Sequence, residues 1–371
     1  MANPKVGQIT SYDVVENVID FSDILNEKKM PSTPLLNKIG ILNEPVYSTT
    51  YQWYDEAFPV LNTKLTAAYE ESTPGTWPLE LTVDSVVGIM VNSIVKVDNV
   101  LYRVTEVNGT TKLKVAVISG PDAGHANGAI VTIVSNSAIE GADYEDGHYN
   151  PTIERENVTQ IFKDYVKISG TQDAVRNKVR GRVLAREIDN KMQRLRVMLE
   201  RASWLGVKVK PTTNAGPRLM GGIDYFIVNS DGVVATTSTF SEANFKAFLK
   251  EIYDRRGSIA EAWMNAVTMD KFIALNASSV RTDQSADQVG RNVNSFVSQY
   301  GETILNTSPD LPPNVIYVVD TANVKIRPLV NRQFQFEELA KTGDSTKGQL
   351  IGEYTLEFNN PDLAGKFVIT G

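Results

Sequence analysis

Residues 182–205 read RVLAREIDNKMQRLRVMLERASWL, and the fold turns on this stretch. Leu184, Ile188, Met192, Leu195, Leu199 and Ala202 recur at steps of three or four, which sets them on one stripe of an α-helix. Gly206 follows the last apolar residue, where a C-terminal cap belongs. At about 1.5 Å per residue the helix spans roughly 36 Å. No other segment is so long and so one-sided, so it reads as a rod against which the rest packs. Upstream, Val175, Val179 and Val183 are also spaced by four but fall on another face, with Gly181 between the two sets. Glycine inside a helix costs about 1 kcal/mol relative to alanine. A short helix from about Gln172 and a break near Gly181 are therefore expected before the rod.

Outward from the rod, residues 159–169, TQIFKDYVKIS, alternate imperfectly and read as a strand feeding it. Beyond Gly206, Gly216-Pro217 and Gly221-Gly222 are turn signals only. A second helix is expected over 242–256. Ser241 is its N-cap, Phe240 and Phe245 form a hydrophobic staple, Phe245, Phe248, Leu249 and Ile252 make its buried stripe, and Gly257 ends it. A shorter helix around 269–275 and a long polar loop over 278–300 follow. Strands then come at GETILNT, NVIYVVD, VKIRPLV, QLIGEYTLEF and GKFVIT. Strands and helices intermix without a βαβ repeat, so the class is α+β.

The amino-terminal half differs in kind. Residues 1–33 are polar apart from a short helix near 12–25, with Val14, Val15, Val18, Ile19 and Leu25 on its apolar side. They read as a partly extended arm docking elsewhere, or as a frayed terminus. Thr33-Pro34-Leu35-Leu36 opens a short apolar segment that ends at Gly40. In residues 44–72, Tyr47, Tyr51, Trp53 and Phe58 favour strands, and two long strands joined by a tip fit. Such a hairpin has no core of its own and must lie on another surface. Residues 76–142 alternate short Val-rich runs with turns at Asp98-Asn99 and Asn108-Gly109. About five or six strands there make a small β-barrel or sandwich, inserted between unlike neighbours.

The 371 residues carry a net charge of -7 and no cysteine, which removes disulfides, thiolate nucleophiles and cysteine metal sites. An acidic balance argues against a general nucleic-acid binder but allows a local basic face. No run approaches the roughly 18 apolar residues of a membrane span, and no signal peptide is visible, so the expected product is cytosolic and bound to no membrane. No phosphate-binding glycine loop, dinucleotide fingerprint or nucleophile elbow is present. His125 lies in a turn-rich loop, GPDAGHANG. His148 follows Glu140, Asp143, Glu145 and Asp146, a set of oxygen ligands for a cation in a metal-dependent enzyme, or simply an acidic loop facing water. On the rod, Arg186, Arg194 and Arg201 share one side, off the apolar stripe. They suit weak, sequence-blind contact with phosphates, or a solvated face.

Several strings resemble, in order and spacing, the major capsid proteins of tailed bacteriophages with the Hong Kong 97 (HK97-like) fold. They are Thr33-Pro34-Leu35-Leu36 with Gly40, then Gln160-Ile161-Phe162 through Ser169-Gly170-Thr171-Gln172, then Gly221-Gly222-Ile223. Leu339-Ala340-Lys341-Thr342-Gly343-Asp344, Glu353-Tyr354-Thr355-Leu356-Glu357 and Asn360-Pro361 resemble the carboxyl-terminal signature of a podovirus-type branch. The resemblance implies an N-terminal arm (1–40), an extended loop (41–150) with a β-rich insertion at about 76–142, and a peripheral domain with the spine helix (151–217). It implies also an axial domain (218–335) and a return to the peripheral domain (336–371). The implied role is structural and non-enzymatic, with no cofactor. Subunits made in the host cytoplasm would form hexamers and pentamers of an icosahedral head enclosing double-stranded DNA. Portal, scaffolding and decoration proteins are the implied partners, and Arg186, Arg194 and Arg201 are the candidates for facing the genome. An encapsulin-like compartment shares the fold and would hold a cargo enzyme instead.

Overall fold

A computed structural model of the chain describes residues 33–56, 62–69, 79–120, 124–138, 140–141, 152–175, 183–213, 216–230, 232–274, 280–283, 292–341 and 343–370. In chain order the elements are α1 (Pro34–Ile39), β1 (Thr50–Glu56), β2 (Asn62–Lys64), β3 (Leu79–Thr82), β4 (Ser93–Val97), β5 (Val100–Asn108), β6 (Lys112–Ser119), β7 (Ile130–Asn136) and β8 (Thr152–Val158). Next come β9 (Gln160–Ser169), α2 (Gly170–Ala174), α3 (Val183–Leu205), α4 (Ile223–Asn229), β10 (Val233–Thr237), α5 (Glu242–Asp254), β11 (Glu261–Met264) and α6 (Ala266–Ile273). The last are β12 (Val280–Asp283), β13 (Asn292–Ser298), β14 (Gly301–Thr307), β15 (Val315–Val318), β16 (Val324–Pro328), β17 (Gln335–Leu339), β18 (Ser345–Phe358) and β19 (Gly365–Ile369). Two compact units divide the chain: Gln52–Arg155, and Met1–Tyr51 with Glu156–Gly371.

The smaller unit is a six-stranded sheet in the order β2-β7-β4-β5-β6-β3. Its two edges meet at a bridge between Leu65 and Val83, so the sheet closes into a small barrel. Val95, Val97, Tyr102, Val104, Leu113 and Val115 are fully buried inside it, while Lys96, Arg103 and Lys112 point outward. Barrel closure corrects the hairpin expected over 44–72. Residues 62–65 do not pair with β1; they join the barrel, where Leu65 is buried. The partner of β1 is β8, nearly a hundred positions later in the chain.

The larger unit holds two sheets. One runs β10-β19-β15-β11-β14-β13-β12, and α5 packs on it as expected. The Ser241 hydroxyl accepts from Asn244 N at 3.2 Å, and the Phe240 and Phe245 rings lie 6.2 Å apart. The stop after α5 is a Schellman turn: Gly257 N donates to Ile252 O at 2.9 Å and Arg256 N to Tyr253 O at 2.8 Å. The residue in the left-handed region is Arg256, φ 64°, and not the glycine. Phe245, Phe248, Phe272, Phe296 and Phe367 interlock under α5, mostly edge to face. The polar loop expected over 278–300 instead contains β12 and β13, paired antiparallel. Backbone hydrogen bonds at a sheet edge need no apolar alternation to form.

In the other sheet the long strand β18 pairs with β16 and β17 along one edge and with β9 along the other. The carboxyl-terminal segment divides between the two sheets, β18 in one and β19 in the other. The turn at Pro361–Leu363, with Asn360 at φ 48°, redirects the chain. Helix α3 packs over β9 and is the expected rod, with Gly206 N bonded to Ala202 O at 2.9 Å. Its buried residues are Leu195, Leu199, Glu200, Ser203 and Trp204, while Leu184, Ile188, Met192 and Ala202 are only half-buried. The short preceding helix is Gly170–Ala174, capped by Ser169, and the break expected at Gly181 lies outside the described residues. No helix among the described residues is long and apolar enough to cross a membrane.

Candidate functional site

Residues 49–51 and 156–160 are, within the larger unit, the two ends of the excursion that carries the barrel. Gln160 pairs with Tyr354 of β18, and Tyr51, Val158 and Thr159 bond to side chains on one face of that strand. Side chains alternate along a strand. Tyr354, Leu356 and Phe358 therefore take the apolar face, and Glu353, Thr355 and Glu357 take the other. None of the six is more than 4% exposed. Burying two carboxylates is tolerable only when they are fully paired, and each is paired with the ends of the excursion.

Glu357 accepts from Arg327 Nε at 2.5 Å, from Lys325 Nζ at 3.3 Å and from the Tyr51 hydroxyl at 3.0 Å. Burial alone would raise its pKa, but the Arg327 guanidinium overcomes this and holds the carboxyl below its ordinary value. The Tyr51 phenol is pushed up, by burial first and then by the Glu357 charge. Arg327 also reaches Glu44 at 2.7 Å. Glu353 accepts from the Thr159 hydroxyl at 2.6 Å and Arg218 Nη2 at 2.7 Å, with Arg332 Nε at 3.0 Å. Thr355 Oγ1 donates to Val158 O at 3.2 Å.

Asn157 completes the junction. Its amide nitrogen donates to Leu356 O at 2.7 Å and Gly221 O at 3.0 Å, and its Oδ1 accepts from Gly221 N at 2.8 Å. Gly221-Gly222 is thus more than a turn. Gly222 N bonds Gly206 O at 2.8 Å, and a Cβ on Gly222 would lie 2.7 Å from both Ala202 O and Gly206 N. Only glycine lets α4 start this close to the end of α3.

The three arginines have different surroundings. Arg201 Nε donates to the buried Asp310 at 2.6 Å, with its side chain 62% exposed. Arg194, 57% exposed, lies 3.6 Å from Asp164, which Lys191 also holds at 3.0 Å. Arg186 is half-buried. Sequence reading missed Glu200, which is wholly buried and accepts from Leu35 N at 3.0 Å and Leu36 N at 2.9 Å. It also missed the junction. The available signal was Glu353 and Glu357, four apart and so on one face, opposite Tyr354, Leu356 and Phe358.

His125 is buried, not in an open loop. Its Nδ1 meets Asp98 and its Nε2 the Tyr102 hydroxyl, both at 2.7 Å. With Nδ1–H donating to the carboxylate, Nε2 accepts from the phenol. His148, Asp143, Glu145 and Asp146 lie outside the described residues. Among the described residues no three His, Asp or Glu side chains converge to hold a metal.

The sequence model of a family described as SU10 major capsid protein matches residues 8–370. A curated major capsid protein of Escherichia phage Phieco32 is 35% identical over 74 residues, 20% of this chain and 21% of that protein's length. The capsid asymmetric unit of cyanophage A-1(L) superposes with a TM-score of 0.52 at 10% identity, over 98% of this chain and all (100%) of that one. A chain of Mycobacterium phage Bobi does so with a TM-score of 0.50 at 13% identity, again over 98% and 100%. These likenesses show the HK97-like capsid fold.

Proposed function

This chain belongs to the SU10 major capsid protein family, and from that we propose that it builds the icosahedral head of a tailed phage as hexamers and pentamers around double-stranded DNA. The observation that carries the reading is the polar junction. A subunit with a two-stranded β1–β8 ribbon fixes that ribbon's root with buried, charge-assisted hydrogen bonds. Tyr47 and Tyr54, 82% and 67% exposed, suit burial against further copies. Heterologous contacts of this kind close into rings and shells.

In this reading residues 1–40 are the N-terminal arm, and 41–150 the extended loop carrying the barrel. Residues 151–217, with β16, β17 and β18, form the peripheral domain around the spine helix α3, and the rest of 218–335, joined by β19, the axial domain, which corrects an axial domain of 218–335 and a wholly peripheral 336–371. The role is structural and needs no catalytic set or cofactor. Portal, scaffolding and decoration proteins are the proposed partners. Arg186, Arg194 and Arg201 are the candidates for facing the genome. Sedimentation and negative-stain imaging of the purified chain test the proposal. Shells, rings or capsomers are expected, and a monomer at every concentration refutes it. DNA-free particles that capture an enzyme cargo would point instead to a compartment.

A further inference from the structure

Helix α1 begins at Pro34, which has no N–H, and the Thr33 side chain does not cap it. The next two amides, Leu35 and Leu36, would be orphaned at the helix start. Each instead donates to a different oxygen of Glu200, at 3.0 and 2.9 Å. The cap is therefore supplied by another helix, more than 160 positions away in the chain. Glu200 is fully buried and accepts from both amides, while the neighbouring Arg201 turns to Asp310. Burial raises the Glu200 pKa, and the amides of Leu36 and Leu35, with the Trp204 indole, oppose the rise.

The same segment touches two other elements. Lys38 reaches Glu261 of β11 at 2.8 Å, and Leu42 N donates to Ile326 O of β16 at 2.9 Å. Residues 33–46 thus lie as a strap across α3 and both sheets of the larger unit. We infer that Glu200 is the latch of this strap, a positioning residue that docks the root of the amino-terminal segment against the carboxyl-terminal half of α3. Its use in assembly rests on the shell reading, but its existence does not.

Hydrogen exchange on the unassembled chain tests it, whether or not shells form. Glu200→Gln keeps the shape but only one acceptor oxygen, and its NH2 faces an amide donor. Exchange across residues 33–40 should rise roughly ten- to hundredfold, with β18 and α5 unchanged. Thr33→Asp in the Glu200→Gln background then installs a cap within α1 itself. A latch predicts that this double variant stays unprotected against limited proteolysis around residues 33–46. Full rescue by Thr33→Asp would make Glu200 a mere helix cap and overturn the inference, as would unchanged exchange in Glu200→Gln.

Discussion

Replacing Gly222 by alanine tests how tightly α4 is joined to the end of the spine helix. The new Cβ would sit 2.7 Å from Ala202 O, 2.7 Å from Gly206 N and 2.9 Å from Ser203 O. All three are backbone atoms, so no side-chain rotation relieves the overlap. The start of α4 must move away by several tenths of an ångström, which lengthens the 2.8 Å bond from Gly222 N to Gly206 O. Overpacking of this kind costs about 1–3 kcal/mol, and weakening a buried backbone hydrogen bond adds about 0.5–1.5 kcal/mol. The expected loss is therefore about 2–4 kcal/mol. Urea unfolding of the unassembled chain, followed by tryptophan fluorescence, to which the buried Trp204 and Trp263 contribute, reads it as a midpoint lowered by roughly 1 M. Gly216→Ala is the control, because its Cβ meets only Pro211 at 3.8 Å. Equal midpoints for the two variants would refute the close-packed joint and with it the steric account of this glycine pair.

Glu357 has a folded pKa below the 4.5 of the free side chain, so its contribution is present above about that pH and is lost as pH falls through the lower folded value. Glu357→Gln should accordingly flatten the acid limb of a plot of urea midpoint against pH below about 4.5; an unchanged limb would remove Glu357 from the acid response. Glu353→Gln leaves Arg218 and Arg332 without their carboxylate and should cost about 1.5–3 kcal/mol in urea unfolding, discounted because both guanidinium groups are partly exposed. Tyr102→Phe removes the hydroxyl that His125 Nε2 accepts at 2.7 Å and should cost about 1–3 kcal/mol, with faster amide exchange confined to the barrel strands.

What the sequence made legible was the apolar periodicity. The stripe of α3, the staple and buried face of α5 and the hairpins of the barrel all follow from side chains recurring at 3.6 or 2 residues. The polar contacts were hidden because their partners leave no pattern. Glu200 looks like one more surface charge on a helix, yet its partners are backbone amides near the opposite end of the chain. Glu353 and Glu357 were visible as part of a family string, but nothing local says that Arg218, Arg332, Arg327 and Tyr51 converge on them. The paired strands β12 and β13 were missed because NVNSFVSQ carries the polar residues of a loop.

These hidden contacts decide something the visible ones do not. Burial of Phe245, Leu199 or Val95 is favourable in any packing that removes the side chain from water, so it fixes that a unit folds but leaves backbone directions loose. Hydrogen bonds to a carboxylate weaken steeply with angle. Glu357 on Tyr51, Glu353 on Thr159 and Asn157 on Gly221 therefore fix the path of residues 49–51 and 156–160 beside β18. In the proposed shell, a two-stranded ribbon offered to neighbouring copies needs that directional constraint at its root. Charge is usually costly inside a protein. Here the physical reason for burying two glutamates is the geometry they impose on the strands that cross them.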